Sequence, residues 1–150
     1  MDPIEQLLAE RACQRLLLDL IRRLDFQEPA SVAELFTEDG TWAWPAGDRL
    51  VRGREALRAY FGSRPADRLS RRLMSNVLVE VTSADTASAT SYFTTYRVDG
   101  CGGYNGGTLP AGPPVRIGHY EDAFRRSAEG DWLLQARTVF LPAAGPTPRL

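Results

Sequence analysis

The chain contains no lysine: every one of its 18 basic residues is arginine. Without lysine, neither a Schiff base with a substrate carbonyl nor a phosphate-binding loop of the Gly-Lys-Ser/Thr type can form. The sequence therefore excludes two large classes of enzyme, those that depend on a Schiff-base lysine and those that depend on the P-loop.

Histidine and cysteine are also scarce, since the chain has one histidine, His119, and two cysteines, Cys13 and Cys101. Cys13 falls within a helical pattern and Cys101 within a glycine-rich loop, and no CxxC or His-Cys spacing is present. Zinc sites and disulfide frameworks depend on such spacings. We therefore expect two reduced thiols and no bound metal.

The sequence has no basic excess and no long apolar run. Its net charge of -1 argues against a nucleic-acid partner. Residues 1–24 carry acids and arginines throughout, which is typical of neither a signal peptide nor a membrane span. With 43% hydrophobic residues in 150, the chain suits one domain over residues 1–150. We expect a cytoplasmic protein with no membrane partner.

Three helices are predicted in the first half of the chain. Asp2, Pro3 and Glu5 supply an N-cap, a first-turn proline and a capping-box acid. A second helix is predicted from Ser31 through Phe36, and a third over Gly53–Phe61. The first is long and amphipathic, because apolar residues recur at near-helical spacing: Ile4, Leu7, Leu8, Leu16, Leu20 and Leu24.

The second half of the chain alternates like β-strands. A Gly/Pro-rich loop is expected over residues 99–114 and a flexible tail over residues 142–150. Helices followed by consecutive strands predict an α+β fold, with the helices covering one face of an antiparallel meander. The predicted strands are Leu73–Val81, Ala87–Val98, Val115–Arg126 and Asp131–Leu141, with a shorter one at Thr41–Trp44.

This order of elements, together with "LFTEDGTWAWP" and "GHYEDAFRRSAEGDW", resembles the SnoaL-like branch of the nuclear-transport-factor-2-like superfamily. The resemblance implies a cone-shaped α+β barrel, in which a long N-terminal helix and two short helices pack on a strongly curved antiparallel sheet. It also implies a pocket between the long helix and the concave sheet face, no cofactor and a homodimer. It does not imply one reaction, because the fold hosts isomerases, dehydratases, cyclases and binding proteins.

The resemblance selects Asp122 as the central residue of the site. "DAFRRSAEGDW" is similar to the stretch in which ketosteroid isomerase and SnoaL-type cyclases place a functional aspartate, and Asp122 is the matching residue. Alternate residues of a strand share a face, so Tyr120 and Asp122 point together and His119 points away. We therefore expect His119 on the convex side, at an interface or on the surface.

Other residues of the related enzymes are missing. Trp44 and Leu20 stand where ketosteroid isomerase has its general base and its tyrosine, so isomerisation by that mechanism is not expected. Asp25 matches the helix-end aspartate of scytalone dehydratase, but Arg72 occupies the position of the histidine that it orients. The second histidine position of the dehydratase falls near Tyr96.

Alternation within each strand extends the predicted pocket. An Asp122 facing inward predicts Thr90, Tyr92, Thr94 and Tyr96 on the same face of the neighbouring strand, while Trp42 and Trp132 are assigned to packing. We expect Asp122, Arg72, Arg137 and Tyr96 in catalytic roles, with Asp122 ionised beside the two arginines. The residues expected to bind substrate are Asp25, Trp44, Thr90, Tyr92, Tyr120 and Leu20, while Met74, Val139 and Leu16 complete the wall.

Three functions fit these residues. The first is a cofactor-independent enzyme that acts by proton transfer on a hydrophobic polyketide-like or aromatic molecule, with Asp122 relaying the proton. The second is a binding protein with the same pocket, in which arginine and aspartate satisfy one another. The third is a structural subunit resembling the small subunit of ring-hydroxylating dioxygenases. A reachable Asp122 favours the first, a bidentate Asp122–arginine pair the second, and a pocket filled by tryptophans the third.

Overall fold

The computed structural model describes residues 1–26, 28–102 and 104–145. Its first helix, α1, spans Pro3–Asp25, and the capping box predicted from Asp2 and Glu5 is confirmed. The Asp2 carboxylate accepts hydrogen bonds from two backbone N–H groups of the first turn, which no residue within the helix could satisfy. The predicted apolar stripe is buried only from the middle of the helix onward, because Ile4, Leu7 and Leu8 are exposed.

The second predicted helix is a 3-10 helix over Pro29–Leu35 and ends before Phe36. Ser31 does not cap it with Glu34, because the Ser31 hydroxyl donates to the carbonyl oxygen of Glu28 at 2.6 Å. The third helix, α2, is confirmed and spans Arg54–Gly62. Gly53 caps it with a φ of 88°, a backbone conformation that favours glycine.

The sheet has six strands, of which the last four form the predicted antiparallel meander. The sheet is mixed, however, because β1 runs parallel to β6, and it is open, because β2 and β3 are its two edges. The strands are β1 Phe36–Trp44, β2 Arg49–Arg52, β3 Leu69–Val81, β4 Thr86–Val98, β5 Arg116–Arg126 and β6 Trp132–Ala144, in the spatial order β2-β1-β6-β5-β4-β3.

Two predicted boundaries change the ends of the sheet. β3 begins at Leu69 rather than Leu73, and β6 continues to Ala144, so the first residues of the expected tail belong to a strand. Residues 146–150, where the rest of that tail was expected, lie outside the described residues. The residues of the Gly/Pro-rich loop between β4 and β5 that the structure describes belong to no helix or strand.

The helices cover one face of the sheet, which we call the inner face, and this arrangement is the predicted α+β cone. The core lies between α1, the 3-10 helix, α2 and the inner face. On β4 the buried side chains are every second residue, namely Ala87, Ala89, Ser91, Phe93 and Thr95. Their alternates point to the opposite, outer face of the sheet, which none of the helices in the described part of the chain covers.

Candidate functional site

A cavity of about 250 Å³ lies between the end of α1, the strand β1, the helix α2 and the inner face of the sheet. Its wall is aromatic and cationic, and no histidine or carboxylate among the described residues borders it. The lining residues are Leu20, Leu24, Trp42, Trp44, Arg49, Tyr60, Phe61, Arg64, Arg72, Phe93, Thr95, Arg116, Tyr120, Arg137, Val139 and Leu141.

Asp122 lies on the inner face of β5 but does not border this cavity. The Nε and Nη2 groups of Arg137, on β6, donate to its two carboxylate oxygens at 2.7 and 2.8 Å. The two strands pair Asp122 directly with Arg137, and the Asp122 side chain has no exposed surface. The carboxylate therefore faces inward, as expected, but its ion pair is with Arg137, while the expected second arginine, Arg72, pairs with Asp25. In this arrangement the Asp122 carboxylate cannot touch a ligand.

Arg137 is held from its other side by aromatic rings. Its guanidinium carbon lies 3.9 Å from the centroid of the Tyr120 ring, which in turn stacks on Phe93 at 4.3 Å. Asp122 raises the pKa of Arg137 by charge and by hydrogen bonding, while burial lowers it, and the pKa lies above its usual value. The pair is therefore a charged, rigid part of the cavity floor.

Asp25 and Arg72 form a second buried ion pair. Asp25 is the last residue of α1, and its carboxylate accepts hydrogen bonds from the guanidinium of Arg72 and, at 2.7 Å, from the Arg72 backbone N–H. The two side chains are only 3% and 4% exposed. This pair joins the end of the helix to β3 and places Arg72 on the cavity wall.

Thr90, Tyr92 and Tyr96 do not belong to the site, and Thr94 shares their face. They lie on the outer face of β4, where Tyr92 is 57% exposed and pairs with His119. Residues that pair across antiparallel strands share a face, and Asp122 pairs with Ala89 rather than with Thr90. The expectation that these residues share the face of Asp122 is therefore wrong, and none of them borders the cavity.

The other expected lining residues are distributed between the cavity and the core. Leu20, Trp44, Tyr120 and Val139 border the cavity. Leu16 and Met74 pack in the core instead, as does Trp132. Trp42, which was assigned to packing alone, also borders the cavity and packs on Tyr60 with 4.8 Å between ring centroids.

His119 lies on the outer face, as expected. Its ring stacks on Phe140 at 4.6 Å, and its Nε2 atom is 3.6 Å from a carboxylate oxygen of Glu121. Both neighbours are on the outer face of β5 and β6, so the imidazole has no path to the cavity.

Sequence reasoning missed three arginines that border the cavity: Arg49, Arg64 and Arg116. They come from the edge strand β2, the segment after α2 and the first residue of β5. The sequence feature that could have identified Arg64 is its four-residue spacing from Tyr60, which would place both side chains on one face of a continued α2.

The cavity wall contains buried hydrogen-bond donors without partners. Trp44 Nε1 and Arg64 Nε are both buried, and neither has a hydrogen-bond partner among the described residues. Burial and the charge of Arg72 lower the pKa of Arg64 to about 10. Burial raises the pKa of Tyr120, so its hydroxyl stays protonated at neutral pH and can donate.

A second cavity, of about 600 Å³, adjoins the first, because Leu24 and Arg64 border both. Asp25, Cys101 and Tyr104 are among its other lining residues, so the loop between β4 and β5 forms part of its wall. The buried carboxylate of Asp25 thus borders the second cavity, whereas that of Asp122 does not.

The chemistry of the first cavity is that of hydrogen-bond donation and positive charge. Guanidinium, indole and phenol groups can bind an oxygenated ligand and stabilise negative charge on it. Among residues 1–26, 28–102 and 104–145, no three histidine, cysteine, aspartate or glutamate side chains come together to hold a metal ion. Within the same residues, no helix combines the length and apolar composition needed to cross a membrane.

Comparison with known families identifies one match. The model of a family described as the SnoaL-like domain matches residues 5–138 of the chain. None of the curated proteins matches significantly.

Many solved structures share the fold. Rv3472 of Mycobacterium tuberculosis, a protein of unknown function, is 25% identical over 94% of this chain and 76% of its own, with a TM-score of 0.76. A protein of Catenulispora acidiphila in complex with S-DNPA is 22% identical over 91% of this chain and 95% of its own, at a TM-score of 0.69. The hexachlorocyclohexane dehydrochlorinase LinA-type3 of Novosphingobium barchaimii is 16% identical over 99% and 97%, at a TM-score of 0.78.

Proposed function

The chain belongs to the SnoaL-like domain family, and we propose that its first cavity binds a hydrophobic, oxygenated small molecule of the polyketide-like or aromatic kind. The observation that carries this proposal is the composition of the wall, where tryptophan, tyrosine and phenylalanine rings alternate with hydrogen-bond donors. Apolar walls with a few convergent polar groups are typical of small-molecule sites. A ligand of this kind suits secondary metabolism.

Binding without proton transfer by Asp122 is the function that the geometry supports best. Both oxygens of Asp122 are occupied by Arg137, and the carboxylate has no exposed surface. A general base has to reach the proton that it abstracts, directly or through one water. The third function, a structural subunit with a filled pocket, is not favoured, because Trp42 and Trp44 leave a cavity of about 250 Å³ between them and the sheet.

A thermal-shift screen of aromatic and polyketide-like metabolites tests the proposal. At a ligand concentration of 100 Kd, binding to the folded state adds about 2.7 kcal/mol of stability. Leu141→Trp places a large ring on the cavity wall, so it should abolish the shift. The matched control is Leu18→Trp on the exposed side of α1, where the residue is 58% exposed and the shift should persist. Equal shifts in both variants would place the ligand elsewhere and contradict the proposal.

A cofactor-independent proton-transfer enzyme is the second candidate, and one observation favours it: Asp25 borders the second cavity. In this scheme Asp25, not Asp122, relays the proton, and the guanidiniums of the first cavity stabilise the negative charge that develops on the substrate. Cyclisation, isomerisation and dehydration all fit the scheme. The name of the dehydrochlorinase relative shows that a protein of this fold catalyses an elimination.

Mass spectrometry of the ligands found in the screen separates the two candidates. An enzyme changes the ligand, and Asp25→Asn should then reduce turnover at least 100-fold while leaving the thermal shift in place. Unchanged ligand after prolonged incubation with wild type would reject the enzyme and leave the binding function intact.

We further propose that the chain forms a homodimer through the outer face of the sheet. Large apolar side chains are exposed there across β3 to β6: Leu73, Leu78, Tyr92, Tyr96, Ile117 and Phe140. Contiguous apolar patches of this kind mark interaction surfaces. Light scattering should show a dimer for wild type and for Leu50→Glu, an exposed site on β2, but a monomer for Tyr92→Glu. A monomeric wild type at micromolar concentration would contradict the proposal.

A further inference from the structure

The first cavity carries an excess of positive charge. Five arginines border it, and two of them, Arg72 and Arg137, are paired with the buried carboxylates of Asp25 and Asp122. The other three form no ion pair with a described residue. The pairs are neutral overall, so the unpaired arginines set the sign of the potential in the cavity.

Arg64 is the unpaired arginine that is placed most directly for a ligand. Its side chain reaches both cavities, and its Nε–H is buried without a partner. Leaving a buried donor unsatisfied costs about 1–3 kcal/mol, and more when the group is charged. Burial and, after it, the charge of Arg72 lower the pKa of Arg64, so both oppose its unpaired charge.

A second unsatisfied donor borders the same cavity. Trp44 Nε1 is buried without a partner, and it belongs to β1, on a different element from Arg64. Of the three buried side-chain polar atoms that lack a partner among the described residues, these two are on cavity-lining residues, and both can only donate. The missing partner is therefore an acceptor, and the charge of Arg64 favours an acceptor that is negative.

We propose that the first cavity is a site for an anionic aromatic ligand, a carboxylate or phenolate, whose negative oxygen is bound by Arg64 and whose rings lie against the tryptophan and tyrosine wall. This inference rests on the proposed small-molecule binding and specifies the class of ligand. The anion restores to Arg64 the pairing that Asp25 and Asp122 give to the other two buried arginines. Arg49 and Arg116 add to the positive potential around it.

Two probes with the same ring system test the inference: the anion 2-naphthoate and its uncharged methyl ester, which is larger by one methyl group, measured by isothermal titration calorimetry at pH 7. Wild type should bind the carboxylate at least tenfold more tightly than the ester. Arg64→Gln should remove that preference by weakening carboxylate binding and leaving ester binding unchanged. Arg125→Gln, which removes an exposed arginine at the far end of β5, is the matched control and should behave like wild type.

The outcomes separate this inference from the broader function. Equal binding of acid and ester by wild type would overturn the anionic ligand and leave small-molecule binding intact. Failure of both probes would contradict the anion site as well, while the thermal-shift screen of neutral metabolites decides the broader function. Folding supplies an independent check, because Arg64 has no partner to lose: Arg64→Gln should unfold at the same urea concentration as wild type or a higher one. Marked destabilisation would give Arg64 a structural role and overturn its assignment to a ligand.

Discussion

The two buried arginine–aspartate pairs join different elements of the fold. They also differ in whether the aspartate borders the first or second cavity. Asp122 and Arg137 are direct partners on neighbouring strands, and their side chains are 0% and 2% exposed. Asp25 and Arg72 join the end of α1 to β3, and each of them borders a cavity. In the other pair, Arg137 borders the first cavity, and Asp122 borders neither the first nor the second.

This difference separates a structural pair from one that is open to chemistry. Both carboxylates have each oxygen bound by their arginine, Asp25 through the Arg72 guanidinium and backbone N–H, so hydrogen bonding alone does not separate the two pairs. A carboxylate at the wall of a cavity can meet water or a ligand when its arginine moves. The position of an aspartate on the inner face is thus insufficient to assign it a catalytic role. The assignment also requires that the carboxylate border a cavity that can hold a ligand.

The largest effect is expected where the pair is fully buried. Asp122→Asn leaves the charge of Arg137 buried and uncompensated, and breaking such a pair costs about 3–5 kcal/mol. Urea unfolding monitored by tryptophan fluorescence measures the loss. The double variant Asp122→Leu, Arg137→Met removes both charges and should recover most of the stability. A loss below about 1 kcal/mol in the single variant would show that water reaches Arg137.

A smaller loss is expected at the other pair. Asp25→Asn keeps an acceptor for the Arg72 backbone N–H, and water in the cavities can solvate the released guanidinium, so we expect about 1.5–3 kcal/mol. The same urea titration compares the two asparagine variants directly. If Asp25→Asn proved the more damaging of the two, the assignment of a structural and an accessible pair would be reversed.

The fold was predictable because most of its elements are specified locally. The capping box at Asp2, the helical spacing in α1 and the strand alternation are properties of adjacent residues, and each was confirmed. The parallel pairing of β1 with β6 was not predictable from pattern, because it joins strands separated by most of the chain. The same limit explains why a mixed sheet replaced the expected antiparallel one.

The site was predicted only in part, because strand register is not a local property. Alternation correctly placed Tyr120 and Asp122 on the same face of β5. Which residues of β4 share that face depends on the pairing of Ala89 with Asp122, and the two strands are separated by a long loop. A slip of one residue reverses the face of a whole strand, and it put Tyr92 and Tyr96 in the wrong place. Arg64 was missed because it follows the end of α2, so the four-residue spacing from Tyr60 to Arg64 was not followed past the predicted helix.

The pKa of Arg64 should respond differently to the loss of the Asp25–Arg72 pair and of the Asp122–Arg137 pair. Its pKa is lowered to about 10 by burial, by Arg72 and by Arg97, while Tyr60 and Tyr120 oppose the shift. The folded state therefore releases this proton as pH rises through about 10, whereas the pKa of the same guanidinium in the unfolded chain is higher. Between those values the unfolded state binds more protons, so stability from this group rises with pH while affinity for an anion falls.

Calorimetry with 2-naphthoate from pH 7 to 11 measures that decrease in affinity. We expect constant affinity below about pH 9 and a loss of about tenfold one unit above the pKa of Arg64. Asp25→Asn should move the decrease to lower pH, because Arg72 then acts on Arg64 without its compensating carboxylate. Asp122→Leu with Arg137→Met should leave it in place. An affinity that stays constant to pH 11 would show that Arg64 keeps its proton and would contradict its lowered pKa.

The smallest effect is expected at Tyr120, which supports the structural pair and also faces the cavity. Tyr120→Phe keeps the ring beneath Arg137 and its stack on Phe93, so the free energy of unfolding should change by less than about 1 kcal/mol. The substitution removes a donor from the cavity wall, and ligand affinity should fall about 5–10-fold if the hydroxyl contacts the ligand. Tyr120→Leu, which also removes the ring, should lose more stability than Tyr120→Phe. Equal stability of the two variants would mean that the ring does not hold Arg137, and that the strand pairing alone fixes the buried pair.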